Sequence, residues 1–306
     1  MILAVGLTPA WQQILEFDAF TPGEVNRARQ VHWCAAGKVL NAARALHHLG
    51  GPCKALTLVG GTTGREIQRD FVQLGIDAAW LETAAPTRVC TTLLDSNRRL
   101  VTELVQEAAP LTAAELGAFR GAYHTEAGAA SIVVLIGSLP HRTPACYYHD
   151  LVASTTGKVL LDARGPELLE ALPARPFLVK PNRKELQQTL GHELRSDDDL
   201  IAGMRELNQR GASWVVITNG DRPILACTRE EVYRFQPLPA RVVNSIGCGD
   251  CLTAGVAWAL HQGRAPVEAI RCGVAVAADK LGRLLPGEVV RAGMEEKIRA
   301  VEVVRL

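Results

Sequence analysis

The sequence predicts an α/β fold built on a mostly parallel sheet with helices on both faces. Three observations predict it. Short β-branched or aliphatic runs alternate with longer amphipathic segments. One run, Ser131–Ile136, is apolar almost throughout and suits a central strand covered on both faces. No fixed-period repeat and no Pro/Ser-rich linker divides the chain, so one domain is expected over residues 1–306.

The elements follow in order. Ile2–Leu7 reads as a strand, and Lys38–Leu49 carries apolar residues at helical spacing. Leu56–Val59 is strand-like, and Arg65–Leu74 is helical and stops at Gly75. Thr112 and Glu115 form a capping box that starts a helix running to about Tyr123. Val159–Leu161, Phe177–Val179 and Trp214–Thr218 resemble the central strand. Helices are expected at Pro144–Ser154, Arg183–Leu190, Asp197–Arg210, Asp250–His261 and Val267–Leu281. Two stretches, at about residues 11–33 and 87–104, alternate polar and apolar residues with no crossover helix between. They read as antiparallel hairpins forming a small flap beside the main sheet. In such a fold ligands gather at the carboxyl ends of the parallel strands.

Composition narrows the function. Lys plus Arg number 33 and Asp plus Glu 32, a net charge of +1, and aromatics make up 5%. That balance gives no broad basic surface and no base-stacking platform, so a nucleic-acid partner is not expected. The N-terminus has no charged region before a long apolar stretch, and no run approaches the ~20 apolar residues of a membrane span. A cytoplasmic location and no membrane partner are expected. Eight scattered cysteines then read as reduced thiols.

The strongest local motif is Asn244-Ser245-Ile246-Gly247-Cys248-Gly249-Asp250, followed by an apolar helix. Glycines at a helix start leave backbone N–H groups open to an anion. An aspartate in the same turn can take a hydroxyl proton late in phosphoryl transfer. A tight turn with Asp250 favouring the helix dipole also explains the segment. Cys248 and Cys251 have metal or redox spacing, but no second Cys or His pair lies close by, and two small buried residues fit as well. Lys180-Pro181-Asn182-Arg183-Lys184-Glu185 follows a strand; Asn182 and Glu185 suit a helix cap, or magnesium held through water. Gly37-Lys38 opens a helix with Asn41 one turn on, and Arg27, Arg29 and Arg88 sit in the hairpin stretches. Converging cations would mark a phosphate pocket; spacing alone does not show convergence. A P-loop, a dinucleotide fingerprint and a nucleophile elbow are all missing.

Taken in order, these segments resemble the ribokinase-like (PfkB) carbohydrate kinases almost end to end. The opening and Phe20–Arg27 look most like the 1-phosphofructokinase and tagatose-6-phosphate kinase branch. Ala36-Gly37-Lys38-Val39-Leu40-Asn41 corresponds to the family's Gly-Gly-Lys-Gly-x-Asn signature, and Gly247-Cys248-Gly249-Asp250 to its Gly-Ala-Gly-Asp. Gly137-Ser138-Leu139-Pro140 and Lys180-Pro181-Asn182-x-x-Glu185 also match. The resemblance implies a three-layer α/β/α sandwich with a small β-sheet lid. It implies ATP and Mg²⁺, with a monovalent cation as an open addition.

By the same resemblance Asp250 is the base, and the N–H groups of Gly247, Cys248, Gly249 and Asp250 are the anion hole. Gly37, Lys38 and Asn41 bind the sugar, and Lys38, Arg27 and Arg88 meet a phosphate on it, with Ser138 nearby. Lys180, Thr218, Gly220 and Ser245 lie by the nucleotide, and Asn182 and Glu185 by magnesium. The partner is a small sugar or sugar phosphate, and lid strands join two subunits in a homodimer.

Three departures concern the sugar end. Ala36 and Val39 replace glycines, and Gln12 stands where this branch has a carboxylate. A Cβ at either former glycine would restrict approach to the sugar. These departures motivate two alternatives: a kinase of an unphosphorylated sugar, polyol or nucleoside, and a degenerate sugar or nucleotide sensor.

Overall fold

The computed structural model describes residues 1–306. Strand β1 (Ile2–Val5) is buried at every position, because its side chains alternate into two separate cores. Ile2 and Ala4 join one apolar cluster, and Leu3 and Val5 the other. That two-sided burial is the reason such strands read as unbroken apolar runs.

After β1 come β2 (Ala10–Phe17), β3 (Gln30–Ala36) and α1 (Lys38–His48). β4 (Cys53–Val59), α2 (Gly61–Leu74), β5 (Ala78–Glu82), β6 (Val89–Asp95) and β7 (Leu100–Val105) follow. The alternating run continues as α3 (Ala113–Ala127), β8 (Ile132–Ile136), α4 (Tyr147–Ala153), β9 (Lys158–Asp162) and α5 (Gly165–Ala171). Next are β10 (Leu178–Val179), α6 (Arg183–Leu190), α7 (Asp197–Arg210) and β11 (Trp214–Ile217). β12 (Ile224–Cys227), β13 (Val232–Phe235), α8 (Cys248–His261), α9 (Pro266–Leu281), α10 (Met294–Ala300) and β14 (Val303–Arg305) close the chain.

The main sheet has ten strands in the order β14-β13-β12-β11-β10-β9-β8-β1-β4-β5. Strands from β11 to β5 run parallel, as expected, while β12, β13 and β14 add an antiparallel edge. The sequence expectation missed that edge because β12–β14 are three or four residues each, too short to show a period. It also missed β5, α5 and α10.

The second sheet has four strands in the order β3-β2-β6-β7. Both hairpins pair as expected, and parallel pairing of β2 with β6 joins them into one sheet. This small sheet packs on α2 through β2 and β3. The capping boxes of Thr112 with Glu115, Asn182 with Glu185 and Ser196 with Asp199 start α3, α6 and α7. Helices α8 and α9 approach through glycine: a Cβ on Gly255 would lie 2.9 Å from Gly273 Cα. That close packing sets the end of α9 beside the start of α8. No helix is long and apolar enough to cross a membrane.

Candidate active site

Four chain segments meet beyond the carboxyl ends of the parallel strands. Helix α1 supplies Lys38 and Asn41, β9 ends on Asp162, Lys180 follows β10, and α8 begins at Cys248. Gly37 takes φ 90° before α1, and a Cβ there would lie 2.8 Å from Pro9 Cα. Only glycine lets the helix start press against the chain leaving β1.

Gly247 takes φ 87° and caps α8 with no side-chain partner. The amides of Gly247, Gly249 and Asp250 donate to no acceptor in the protein. They form a donor cluster at the positive end of the helix. Asp250 is 5% exposed, and Asn41 Nδ2 donates to its Oδ2 at 2.8 Å. Burial pushes the Asp250 carboxyl up to about 6, with Lys38 pulling the other way. The other amide atom, Asn41 Oδ1, is buried without a donor. A hydroxyl brought to Asp250 has an acceptor waiting there.

Beside this pair lies a three-charge cluster. Asp162, 2% exposed, makes ion pairs with Lys38 Nζ at 3.0 Å and Lys180 Nζ at 2.8 Å. Burial disfavours its charge, but Lys180 and Lys38 together outweigh that and hold the carboxyl down at about 2. A Cβ on Gly249 would come within 3.2 Å of Lys180 Nζ, so the lysine faces the amide cluster. The sequence reading missed Asp162. The available signal was its place at the end of an apolar parallel strand, where ligands collect.

The remaining expected residues fall in three groups. Asn182 Oδ1 accepts from the Glu185 amide at 2.8 Å, and Glu185 Oε2 accepts from the Asn182 amide at 2.9 Å. Thr218 bridges to Asn182 on the neighbouring segment, while Gly220 and Ser245 are at the surface. Ser138 is exposed, and its carbonyl accepts from Thr8 Oγ1. No three acidic, His or Cys side chains converge into a metal cage. The capping geometry still leaves Glu185 Oε1 free, and Glu185 lies close enough to act on the charge of Lys38. One unengaged carboxylate oxygen suits magnesium, which takes most of its ligands from water and phosphate.

Several expectations change. Ala36 and Val39 are each 1% exposed, and Val39 projects into the core. Val39 packs over Gly6, whose added Cβ would lie 2.9 Å from Val39 Cβ. Gln12 is 2% exposed, and its Nε2 donates to Thr92 Oγ1 at 2.9 Å instead of standing open to a ligand. The Arg88 guanidinium donates to the carbonyls of Thr8, Pro9 and Gln106, holding the small sheet to the body, and keeps two of its five N–H groups free. Arg27 is exposed in the β2–β3 connection and bonds to none of the converging groups. Cys248 is partly buried, and burial pushes its thiol up to about 11, so it stays neutral near pH 7.

A ribokinase-like sandwich with a separate four-stranded sheet, an aspartate beside free helix-start amides and the family match that follows make this a phosphotransferase acting on an alcohol. The chain belongs to the pfkB family of carbohydrate kinases, whose pattern matches residues 1–287. It is 31% identical over 294 residues to the ATP-dependent 6-phosphofructokinase isozyme 2 of Mycobacterium tuberculosis, covering 94% of this chain and 85% of that one. It is 30% identical over 280 residues to the 1-phosphofructokinase of Bacillus subtilis, covering 90% of each. The fold matches Escherichia coli phosphofructokinase-2 in complex with fructose-6-phosphate with a TM-score of 0.86. That match is 24% identical and covers 98% of this chain and 99% of that one.

Proposed function

We propose that the protein transfers the γ-phosphoryl group of ATP to a hydroxyl of a sugar phosphate, of the fructose 1-phosphate, fructose 6-phosphate or tagatose 6-phosphate kind. The observation that carries this reading is the buried Asp250 carboxylate, held by Asn41 beside unpaired amides. Asp250 takes the proton of the acceptor hydroxyl. The hydroxyl oxygen bonds to the γ-phosphorus as the bond to the bridging oxygen breaks, and ADP leaves. The amides of Gly247, Gly249 and Asp250, with Lys180 beside them, face the charge that spreads over the phosphoryl oxygens. Cys248 contributes backbone to the same turn.

Magnesium, when bound, shares the charge of the nucleotide phosphates; Glu185, with Asn182 fixing it, would hold it through water. Lys38 and Asn41 orient the acceptor, and Asp162 keeps both lysines in place. Thr218, Gly220 and Ser245 border the nucleotide phosphates in this reading. The named relatives, both phosphofructokinases, favour a phosphorylated acceptor.

One observation favours a second reading, an unphosphorylated sugar, polyol or nucleoside. Arg88 donates to backbone carbonyls and Arg27 stands apart, which thins the set of cations expected around a substrate phosphate. A panel of acceptors with coupled ADP detection separates the two. Turnover confined to ketose phosphates supports the first, and faster turnover of fructose, ribose or a nucleoside supports the second.

The reading includes a homodimer formed through the small sheet. The register places Val31, Trp33 and Leu104 on one face, all exposed. Trp33 stacks on Trp11 at 5.9 Å and 15°, forming a flat apolar patch. A Trp33→Glu variant that stays dimeric in sedimentation would remove this part.

A further inference from the structure

Lys280 is the one lysine with no exposed surface at all, and nothing in the reaction as described uses it. It is the penultimate residue of α9. Its Nζ donates to the Asn244 carbonyl at 2.8 Å and to the Arg283 carbonyl at 3.1 Å. The adjacent carboxylate, Asp279, pairs with Lys297 and Arg283 instead. The ammonium is therefore held by backbone carbonyl oxygens, with no counter-charge in contact. Burying an ammonium without a paired counter-charge is costly, so its carbonyl partners carry the compensation.

The two carbonyls belong to the loops that build the amide cluster. Asn244 begins the segment that turns into Gly247, and its own side chain donates to the Leu284 carbonyl at 2.8 Å. Its Oδ1 accepts the Ile246 amide at 3.0 Å. The loop after Arg283 supplies Pro286 and Gly287, and a Cβ on Gly247 would lie 3.3 Å from Pro286 Cβ. A positive charge gathering carbonyls from both loops clamps them together. In each peptide the N–H points away from its carbonyl. Fixing the Asn244 carbonyl on the ammonium turns the following amide the other way. The charge also acts on Asp250 and on the Cys248 thiol beside it.

A carbonyl-lined position for one positive charge is the chemistry that a monovalent cation such as potassium would satisfy. We propose that Lys280 is a tethered cation for the phosphoryl-transfer loop, a positioning residue that makes a bound monovalent ion unnecessary. The proposal rests on the kinase reading for its role in turnover. The ammonium is part of the chain, so it does not depend on the salt. It holds the Asn244–Gly247 turn in the form that presents its amides.

The test compares potassium chloride with tetramethylammonium chloride at equal ionic strength, a cation too large for a carbonyl cage. For the unaltered protein, turnover agrees within about twofold in the two salts, and the melting midpoint does not respond to potassium. Lys280→Met, which keeps the stem and removes the charge, lowers kcat about 10- to 100-fold with little change in KM, less than the loss of a direct oxyanion donor. Lys280→Ala opens room for an ion, so potassium, ammonium or methylammonium raises both its melting midpoint and its kcat, and tetramethylammonium does not.

Potassium dependence of the unaltered protein, in rate or in melting, overturns the proposal. So does a folded Lys280→Met with normal kcat, or a folded Lys280→Ala that ignores every small cation. The melting comparison needs no turnover. If no acceptor reacts, the kinase reading fails while the role of Lys280 as a structural cation is still decided.

Discussion

Asn41 and Asp250 are 209 residues apart in sequence, and the Asn41 Nδ2 donates to the Asp250 carboxylate at 2.8 Å. The contact exists because α1 packs on α8, joining the first third of the chain to the last. It engages one carboxylate oxygen and, in the proposed reaction, leaves the other for the acceptor hydroxyl. Asn41 Oδ1, buried without a donor, is an unspent acceptor in the same place.

As the proposed base, Asp250 sets the pH dependence of turnover. Its carboxyl is raised to about 6 by burial, and only the ionised form accepts a proton. Activity is therefore lost as pH falls: kcat/KM drops about tenfold per pH unit below that value and levels off above it. Asp162, held at about 2, stays charged over the same range and adds no second acid limb. A pH–rate profile with no inflection between pH 5 and 7 would contradict this assignment.

The Lys38–Asp162–Lys180 cluster makes a stability prediction. Lys180 has a side chain only 5% exposed, and Asp162 is its ion-pair partner. Asp162→Asn leaves that ammonium buried without a counter-charge and costs about 3–5 kcal/mol in denaturant unfolding. Adding Lys180→Met to Asp162→Asn recovers part of the loss, since the stranded charge is gone. A double variant no more stable than Asp162→Asn would show that the ion pair is not the cause.

How much of this was legible in the sequence follows from the range of each interaction. The amide turn and the capping boxes are local, so Gly247–Asp250 and Asn182 with Glu185 declared themselves by spacing. The parallel strands showed through their two-sided burial. Asp162 and Lys280 act through partners far away in sequence or through backbone carbonyls, and neither leaves a spacing pattern. Val39 misled because a residue's place in a motif does not say which way its Cβ points, and this one packs into the core.

Gly287 tests how the loop supports the site. It takes φ +75°, and a Cβ there would lie 2.5 Å from the Asn41 carbonyl oxygen. Gly287→Ala must displace α1 or the loop, with strain of about 1–3 kcal/mol. The expected result is a lower melting midpoint together with a loss of kcat, because Asn41 moves off Asp250. Unchanged melting and unchanged kcat would show that the contact is not restrictive.

Lys38 separates phosphorylated from unphosphorylated acceptors. A charged hydrogen bond to phosphate contributes about 1.5–3 kcal/mol, so Lys38→Ala raises KM for a ketose phosphate about 10- to 100-fold. An unphosphorylated acceptor is affected much less. Arg88→Ala acts chiefly on stability, since its guanidinium binds the Thr8, Pro9 and Gln106 carbonyls. Equal losses on both acceptor classes in Lys38→Ala would favour the unphosphorylated substrate.

The most direct measurement is turnover by Asp250→Asn on the best acceptor of the panel, with ATP binding followed by calorimetry on the same sample. The asparagine keeps the shape and cannot take the hydroxyl proton. The account predicts that ATP binding is retained while kcat falls about 10²- to 10⁴-fold, the usual size of a lost general base. Near-normal turnover by that variant would contradict it.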